Sequence, residues 1–207
     1  MERRTLVDSE ISVEERADGP GRIVGYAARF YNGDSGTEYE LAPGIVERIM
    51  PGAFNAALER KDDVRALFNH DPNLLLGRTK SGTLELEQTT RGLRYRIKPN
   101  DETSVTKDVR AHISRGDVTG SSFAFTIDEE GWRKEGNVEV REIRNLRLFD
   151  VSPVTYPAYE ATSVGLRASG SEDWKAGHTA WKAQEEAERA AESETYRARA
   201  VVAALDP

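Results

Sequence analysis

The pattern of apolar and polar residues predicts a β-rich body for this chain. Leu84 and Leu86 alternate with glutamates, and beyond a glycine Leu93, Tyr95 and Ile97 alternate with basic residues. A period of two on both sides of a short polar turn is typical of a half-buried antiparallel hairpin. The same pattern predicts an edge strand within residues 5–16 and further strands at residues 22–30, 63–68, 123–125 and 138–154.

Two other segments carry apolar residues at helical spacing. Residues 53–60 place alanine, phenylalanine and leucine on one face, and residues 103–114 align Val105, Val109 and Ile113. This spacing predicts two short amphipathic helices. Glycine-rich and polar stretches predict a loop at residues 31–39 and turns at residues 79–82 and 131–136.

The composition changes near Ser169. Residues 174–205 are rich in Ala, Glu and Arg and contain no proline, which favours one long helix. Large apolar residues are sparse in this segment, so the helix would bury too little surface to form a domain alone. We therefore predict two parts, a body at residues 1–168 and a helical tail at residues 169–207.

Charge and composition narrow the possible partners. The formal net charge is −7, so no strong basic field is present to neutralise the phosphates of a nucleic acid. There are no cysteines, which excludes disulfides and thiolate metal sites. No apolar run approaches the roughly 18 residues of a membrane span, and the first residues do not resemble a signal peptide. The sequence predicts a soluble intracellular protein that binds neither nucleic acid nor a membrane.

Several classes of active site lack their motifs. The chain has no HExxH or other paired-histidine spacing for a metal, and no glycine-rich phosphate loop for a nucleotide. It also lacks the GxSxG elbow of the α/β-hydrolases. The abundant carboxylates alternate along predicted strands as solvated faces, so we set a glycosidase-like carboxylate pair aside. We expect no metal and no other cofactor.

The stretch at residues 116–125, GDVTGSSFAF, contains the candidate nucleophiles Ser121 and Ser122. Small polar residues beside glycine are by themselves more typical of a turn. In a strand, consecutive serines face opposite sides, so only one of them can meet a given histidine. Of the three histidines, His70 follows a predicted strand, His112 lies in a predicted helix and His178 lies in the tail.

Five stretches, taken together in this order and spacing, resemble the tailed-phage prohead protease family, the head-maturation serine proteases. They are residues 47–54 (ERIMPGAF), 68–71 (FNHD), 76–84 (LGRTKSGTL), 116–125 (GDVTGSSFAF) and 148–158 (LFDVSPVTYPA). The resemblance spans roughly residues 20–168.

This resemblance implies a fold and an activity. The fold would be β-rich α+β, a herpesvirus-protease-like antiparallel β-barrel with a few flanking helices, followed by the helical tail. The activity would be that of a serine endopeptidase that cleaves scaffold protein, major capsid protein or both. It would act in the host cytoplasm, inside the assembling prohead, and a homo-oligomer is a possible assembly state.

The resemblance also assigns roles to individual residues. The family's catalytic histidine corresponds to His70, its serine to Ser122, with Ser121 ranked second, and its acidic residue to Asp150. The family usually has glutamate at that acidic position, and aspartate shortens the reach by one methylene. A backbone N–H near Gly120 would help to form the oxyanion hole. Weaker candidates are Arg144 and Arg147, just before the acidic segment, as residues that assist the oxyanion hole, and His112 as a second histidine.

One alternative stays open at this point. The chain could be a non-enzymatic assembly module, with a protease-like body and with the tail as its contact element. The presence of all three of His70, Ser122 and Asp150 favours the enzyme.

Overall fold

The computed structural model describes residues 1–16, 19–157, 166–168 and 173–205. The chain divides into two compact units, Met1–Ser171 and Glu172–Pro207. The predicted boundary between residues 168 and 169 adjoins residues outside the described ranges, and it stays a prediction. The strands are β1 (Glu2–Leu6), β2 (Ser12–Arg16), β3 (Gly19–Arg29), β4 (Tyr39–Ala42), β5 (Ile45–Ile49), β6 (Arg65–Phe68), β7 (Asp71–Arg78), β8 (Leu84–Gln88), β9 (Gly92–Ile97), β10 (Gly120–Glu135), β11 (Val138–Val154) and β12 (Leu166–Ala168), and the helices are α1 (Asn55–Glu59), α2 (Ser104–Arg115) and α3 (Trp174–Leu205).

The strands of the first unit form two sheets. The larger sheet has eight strands in the order β10-β1-β12-β4-β5-β11-β6-β7, and β10 also pairs with β11. The smaller sheet has the order β2-β3-β9-β8. The predicted β-rich fold with a few helices is confirmed. The described strands form two sheets and not one closed barrel. The larger sheet is mixed, because β11 pairs with β5 and with β6 in parallel, so the predicted antiparallel arrangement is wrong for these strands.

One apolar core contains residues from both sheets and both helices of the first unit. Its aromatic centre is built by Phe54, Phe123 and Phe125, with the Phe123 and Phe125 rings stacked 4.9 Å apart. Phe123 and Phe125 are alternate residues of β10, so this face of the strand points into the core. Ser122 and Ala124, which alternate with these phenylalanines along β10, therefore lie on the opposite face.

Several local predictions are confirmed. β8 and β9 form the expected antiparallel hairpin, and α1 and α2 begin and end within two residues of their predicted bounds. Val109 and Ile113 of α2 are buried, and the helix ends at Gly116 in the left-handed conformation that glycine adopts at little cost. The second unit consists of the long helix α3, as its composition predicts.

The predicted edge strand within residues 5–16 is confirmed for β2, which lies at an edge of the smaller sheet, and is wrong for Thr5 and Leu6, which belong to β1. This region contributes to two strands in different sheets, and β1 lies between β10 and β12 rather than at an edge. β1 begins at Glu2, and its charged residues Glu2 and Arg4 face inward. Arg4 hydrogen-bonds to Glu2 and Glu47, and both glutamates also bond to Arg141.

The predicted turn at residues 131–136 is also wrong in its extent. β10 continues through Gly131 to Glu135, and the chain reverses only at residues 136 and 137. Gly136 has a φ of 59°, which suits a tight connection between two long strands. The predicted loop at residues 31–39 contains a single 3₁₀ turn, Ser35–Thr37, and its last residue, Tyr39, is buried at the start of β4.

Candidate active site

His70 lies at the tip of the β6–β7 hairpin. Phe68 pairs with Asp71, so Asn69 and His70 form a two-residue connection, and both have a positive φ, 55° and 58°. Two left-handed residues are what a type I′ hairpin turn requires. For residues other than glycine this conformation is strained, and such strain is found mostly at functional sites.

The hairpin tip is hydrogen-bonded to residues at and just after the end of β11. The Asn69 N–H donates to the carbonyl of Pro153 at 3.0 Å, and the Asn69 side-chain oxygen accepts from the Thr155 N–H at 2.9 Å. In addition, the pairing of Asp150 with Arg65 places β6 alongside β11. These contacts fix the position of His70 relative to β11.

His70 and Asp150 form a buried hydrogen-bonded pair. His70 Nδ1 lies 2.6 Å from Asp150 Oδ1, and both side chains are only 8 % exposed. An ionised carboxylate can only accept, so Nδ1 carries the proton in this pair and Nε2 is left as a free acceptor. His70 Nε2 is buried, and it has no hydrogen-bond partner within the described ranges. This arrangement is that of a general base with an orienting carboxylate.

Ser152 completes the surroundings of Asp150. Its hydroxyl donates to the same Oδ1 atom at 2.8 Å, and the residue is completely buried. Our sequence analysis did not single out Ser152. Its spacing from Asp150 could have identified it, because residues two apart in a strand share one face.

Ser122 lies on the same face of the sheet, on the neighbouring strand. It pairs directly with Ser152 in the β10–β11 register, and it is 1 % exposed. Its hydroxyl donates to the carbonyl of Arg4 at 3.0 Å and accepts from the Thr5 hydroxyl at 3.3 Å. The structure therefore brings His70 and Asp150 into contact and places Ser122 beside them, without a hydrogen bond between Ser122 and His70.

Ser121 faces the opposite side, as the alternation of the strand predicts. Its hydroxyl lies 2.7 Å from the Tyr95 hydroxyl and donates to Ser9 at 2.9 Å. Ser9 in turn donates to the carbonyl of Thr119. Burial raises the pKa of Tyr95, so its hydroxyl stays protonated within this chain of hydrogen bonds. Ser121 thus belongs to a polar chain inside the fold, away from His70.

The weaker candidates lie in other settings. His112 is 46 % exposed on α2, 3.5 Å from Asp117, and His178 lies between Trp174 and Trp181 on α3. Arg144 hydrogen-bonds to Glu142, and Arg147 forms an ion pair with Asp128. The described geometry gives neither His112 nor these two arginines a contact with His70, Ser122 or Asp150.

Gly120 lies where β10 begins, close to another segment of the chain. A Cβ atom at this position would lie 2.5 Å from Pro157 Cβ and 3.1 Å from the carbonyl oxygen of Leu6. Only glycine fits such a close approach. The backbone just before Ser122 is therefore closely packed against Leu6 and Pro157.

Neither a metal centre nor a membrane helix is found in the described residues. No group of three or more His, Cys, Asp or Glu side chains among them is arranged to hold a metal ion. None of their helices is long and apolar enough to cross a membrane.

The fold and these side chains define a class of protein. A β-rich body with a buried His–Asp pair beside a serine contains the groups that a serine hydrolase uses. The family model of the caudovirus prohead serine protease matches residues 8–176, and the chain belongs to this family. The resemblance seen in the sequence is thus confirmed. Comparison with curated proteins and with solved structures gave no significant match.

Proposed function

We propose that this chain is a serine endopeptidase of prohead maturation, with Ser122 as nucleophile, His70 as general base and Asp150 as the orienting carboxylate. The observation that carries the proposal is the buried 2.6 Å contact between His70 Nδ1 and Asp150 Oδ1, which leaves Nε2 unpartnered. Membership in the prohead serine protease family supports the same reaction class.

The mechanism requires one change at Ser122. Its hydroxyl proton, now donated to the carbonyl of Arg4, must be donated to His70 Nε2 instead. His70 then removes this proton as Ser122 Oγ attacks the scissile carbonyl, and later returns it to the leaving amine. Asp150 holds the Nδ1 proton and stabilises the imidazolium, while Ser152 holds Asp150 in place.

The proposal extends to substrates and location. Family membership supports scaffold protein and major capsid protein as substrates, cut inside the assembling prohead in the host cell. We also propose that the fold corresponds to the β-barrel of the herpesvirus assemblin proteases, although with some parallel strand pairs. The pairing of β10 with both β1 and β11, around a core shared by both sheets, supports this correspondence.

An alkyl fluorophosphonate tests the assignment of the nucleophile. This reagent phosphonylates an activated serine with loss of fluoride, and peptide mass spectrometry locates the adduct. We expect the adduct on Ser122 in the wild-type protein and in Ser121→Ala, and no adduct in Ser122→Ala. An adduct on Ser121 would show that the assignment is off by one residue.

The two serine variants differ in a second, independent way. Ser121→Ala leaves the buried Tyr95 hydroxyl without its partner, so we expect it to lower the free energy of unfolding by about 1–3 kcal/mol. A less stable but still labelled Ser121→Ala protein thus separates folding from chemistry.

One observation favours the alternative, a non-enzymatic assembly module. The Ser122 hydroxyl is satisfied by Arg4 and Thr5, as a structural serine would be. If the folded wild-type protein gives no adduct on any serine, alone or inside proheads, the alternative is correct and the proposed function is wrong.

A further inference from the structure

Arg3 shares the sheet face of the candidate active site. Along β1, Glu2 and Arg4 face inward, whereas Thr5 contacts Ser122 on the other face. Arg3 is directly opposite Ala124 in the register, and Thr5 is opposite Ser122. Arg3 is therefore a diagonal neighbour of Ser122, at about 7–8 Å between Cα atoms, a separation that long side chains span.

The charge of Arg3 is not compensated within the described structure. The residue is half-buried, and its guanidinium has no hydrogen bond or ion pair with any residue described here. Two other arginines on this face are paired. Arg65 and Arg78 both contact Asp63, whose pKa the Arg78 hydrogen bond lowers to about 2. Arg3 is thus a cation that still has five donors to satisfy.

The surrounding face also has an excess of positive charge. One row across the sheet runs from Arg3 through Ala124 and Asp150 to Arg65 and Arg78. It carries three arginines against one carboxylate, and Asp63 offsets only part of this excess. In a chain whose net charge is −7, such a row is a local exception, and it favours an acidic ligand.

We infer that Arg3 determines substrate specificity by binding an acidic side chain of the substrate next to the scissile bond. This inference rests on the proposed function and names a substrate class for it. A guanidinium matches a carboxylate through two parallel N–H···O bonds, and these are stronger than bonds between neutral groups. His70 Nε2 and Arg3, which both lack a partner, would then act on two parts of one peptide. His70 would act at the scissile carbonyl through Ser122, and Arg3 would bind a neighbouring carboxylate.

Cleavage of a proteome-derived peptide library, read out by mass spectrometry, tests this inference. The wild-type protein should show Glu and Asp enriched at one position near the cut. We expect Arg3→Gln to reduce that preference about 10- to 100-fold, the range for one charge-assisted contact. Arg3→Lys should retain part of the preference, and Arg3→Glu should favour a basic residue at the same position. Arg94→Gln, which alters an arginine of the smaller sheet that is paired with Glu14, is the control and should leave the preference unchanged.

Fluorophosphonate labelling of Ser122 separates the failure of this inference from the failure of the proposed function. We expect wild type and Arg3→Gln to be labelled at equal rates, because the small alkyl reagent has no side chain for Arg3 to bind. Equal labelling with an unchanged cleavage preference would overturn the role of Arg3 alone. Slower labelling of Arg3→Gln would also overturn it, because Arg3 would then act on the nucleophile. Absence of any label on Ser122 would overturn both proposals.

Discussion

Three residues on one sheet face account for the chemistry we propose. His70 is supplied by a strained hairpin tip, and Asp150 and Ser122 by two neighbouring strands. The residues alone did not identify this group, because serines beside glycine usually form a turn and an isolated aspartate usually lies at a surface. The family register was needed to link positions 70, 122 and 150, because their contact depends on strand pairing that no local pattern encodes.

Ser152 illustrates the part of the site that the sequence does not reveal. Its hydroxyl donates to the carboxylate oxygen that also holds His70. Sequence patterns show only that Ser152 shares a face with Asp150. The hydrogen bond itself depends on the side-chain rotamers of both residues. Its loss would leave Asp150 less well fixed against His70.

We therefore predict that Ser152→Ala lowers kcat for peptide cleavage roughly 10-fold with little change in KM, the range for one hydrogen bond to a charged group. Ser152→Thr, which keeps the hydroxyl, should restore part of the rate. The steady-state kinetics of both variants provide the measurement. An unchanged kcat in Ser152→Ala would show that Asp150 is held without this hydrogen bond.

At the scale of elements, β1 connects the interior of the fold to the site. Its inward face carries Glu2 and Arg4, which join Glu47 and Arg141 in a buried network of ion pairs. Burial disfavours the charge on Arg4, but the two glutamates outweigh this effect and raise its pKa. The main-chain carbonyl of the same Arg4 accepts the hydrogen bond from Ser122. The packing of β1 thus positions the candidate nucleophile.

We predict that Glu47→Gln lowers the free energy of unfolding by about 3–5 kcal/mol, because it leaves two buried guanidinium groups poorly compensated. Urea denaturation measures this change. Glu87→Gln is the matched control, since Glu87 forms only an exposed pair with Arg96, and its loss should cost less than about 1 kcal/mol. Similar losses in both variants would contradict the account of the network.

The elements differed in how well the sequence predicted them. Strict alternation predicted the β8–β9 hairpin, and helical spacing predicted α2, because both patterns arise from local geometry. The position of β1 inside the larger sheet was missed, because its charged residues are neutralised by partners more than 40 positions away in the sequence. Long-range pairing of buried charges has no periodic signature in a single strand.

At the scale of the whole molecule, the chain combines a protease-family body with a separate helical unit. The family match covers residues 8–176, which includes His70, Ser122 and Asp150. The second unit, Glu172–Pro207, contains the helix α3 and lies almost entirely outside the matched range. The proposed chemistry therefore belongs to the first unit.

Co-expression with the cognate major capsid and scaffold proteins tests the central claim most directly. Mass spectrometry of those proteins reports whether and where they are cut. We predict truncated products with the wild-type chain and with Ser121→Ala. With Ser122→Ala we predict full-length proteins, cleaved at less than about 10⁻⁴ of the wild-type rate. The same truncated products at the same rate with Ser122→Ala would contradict the account.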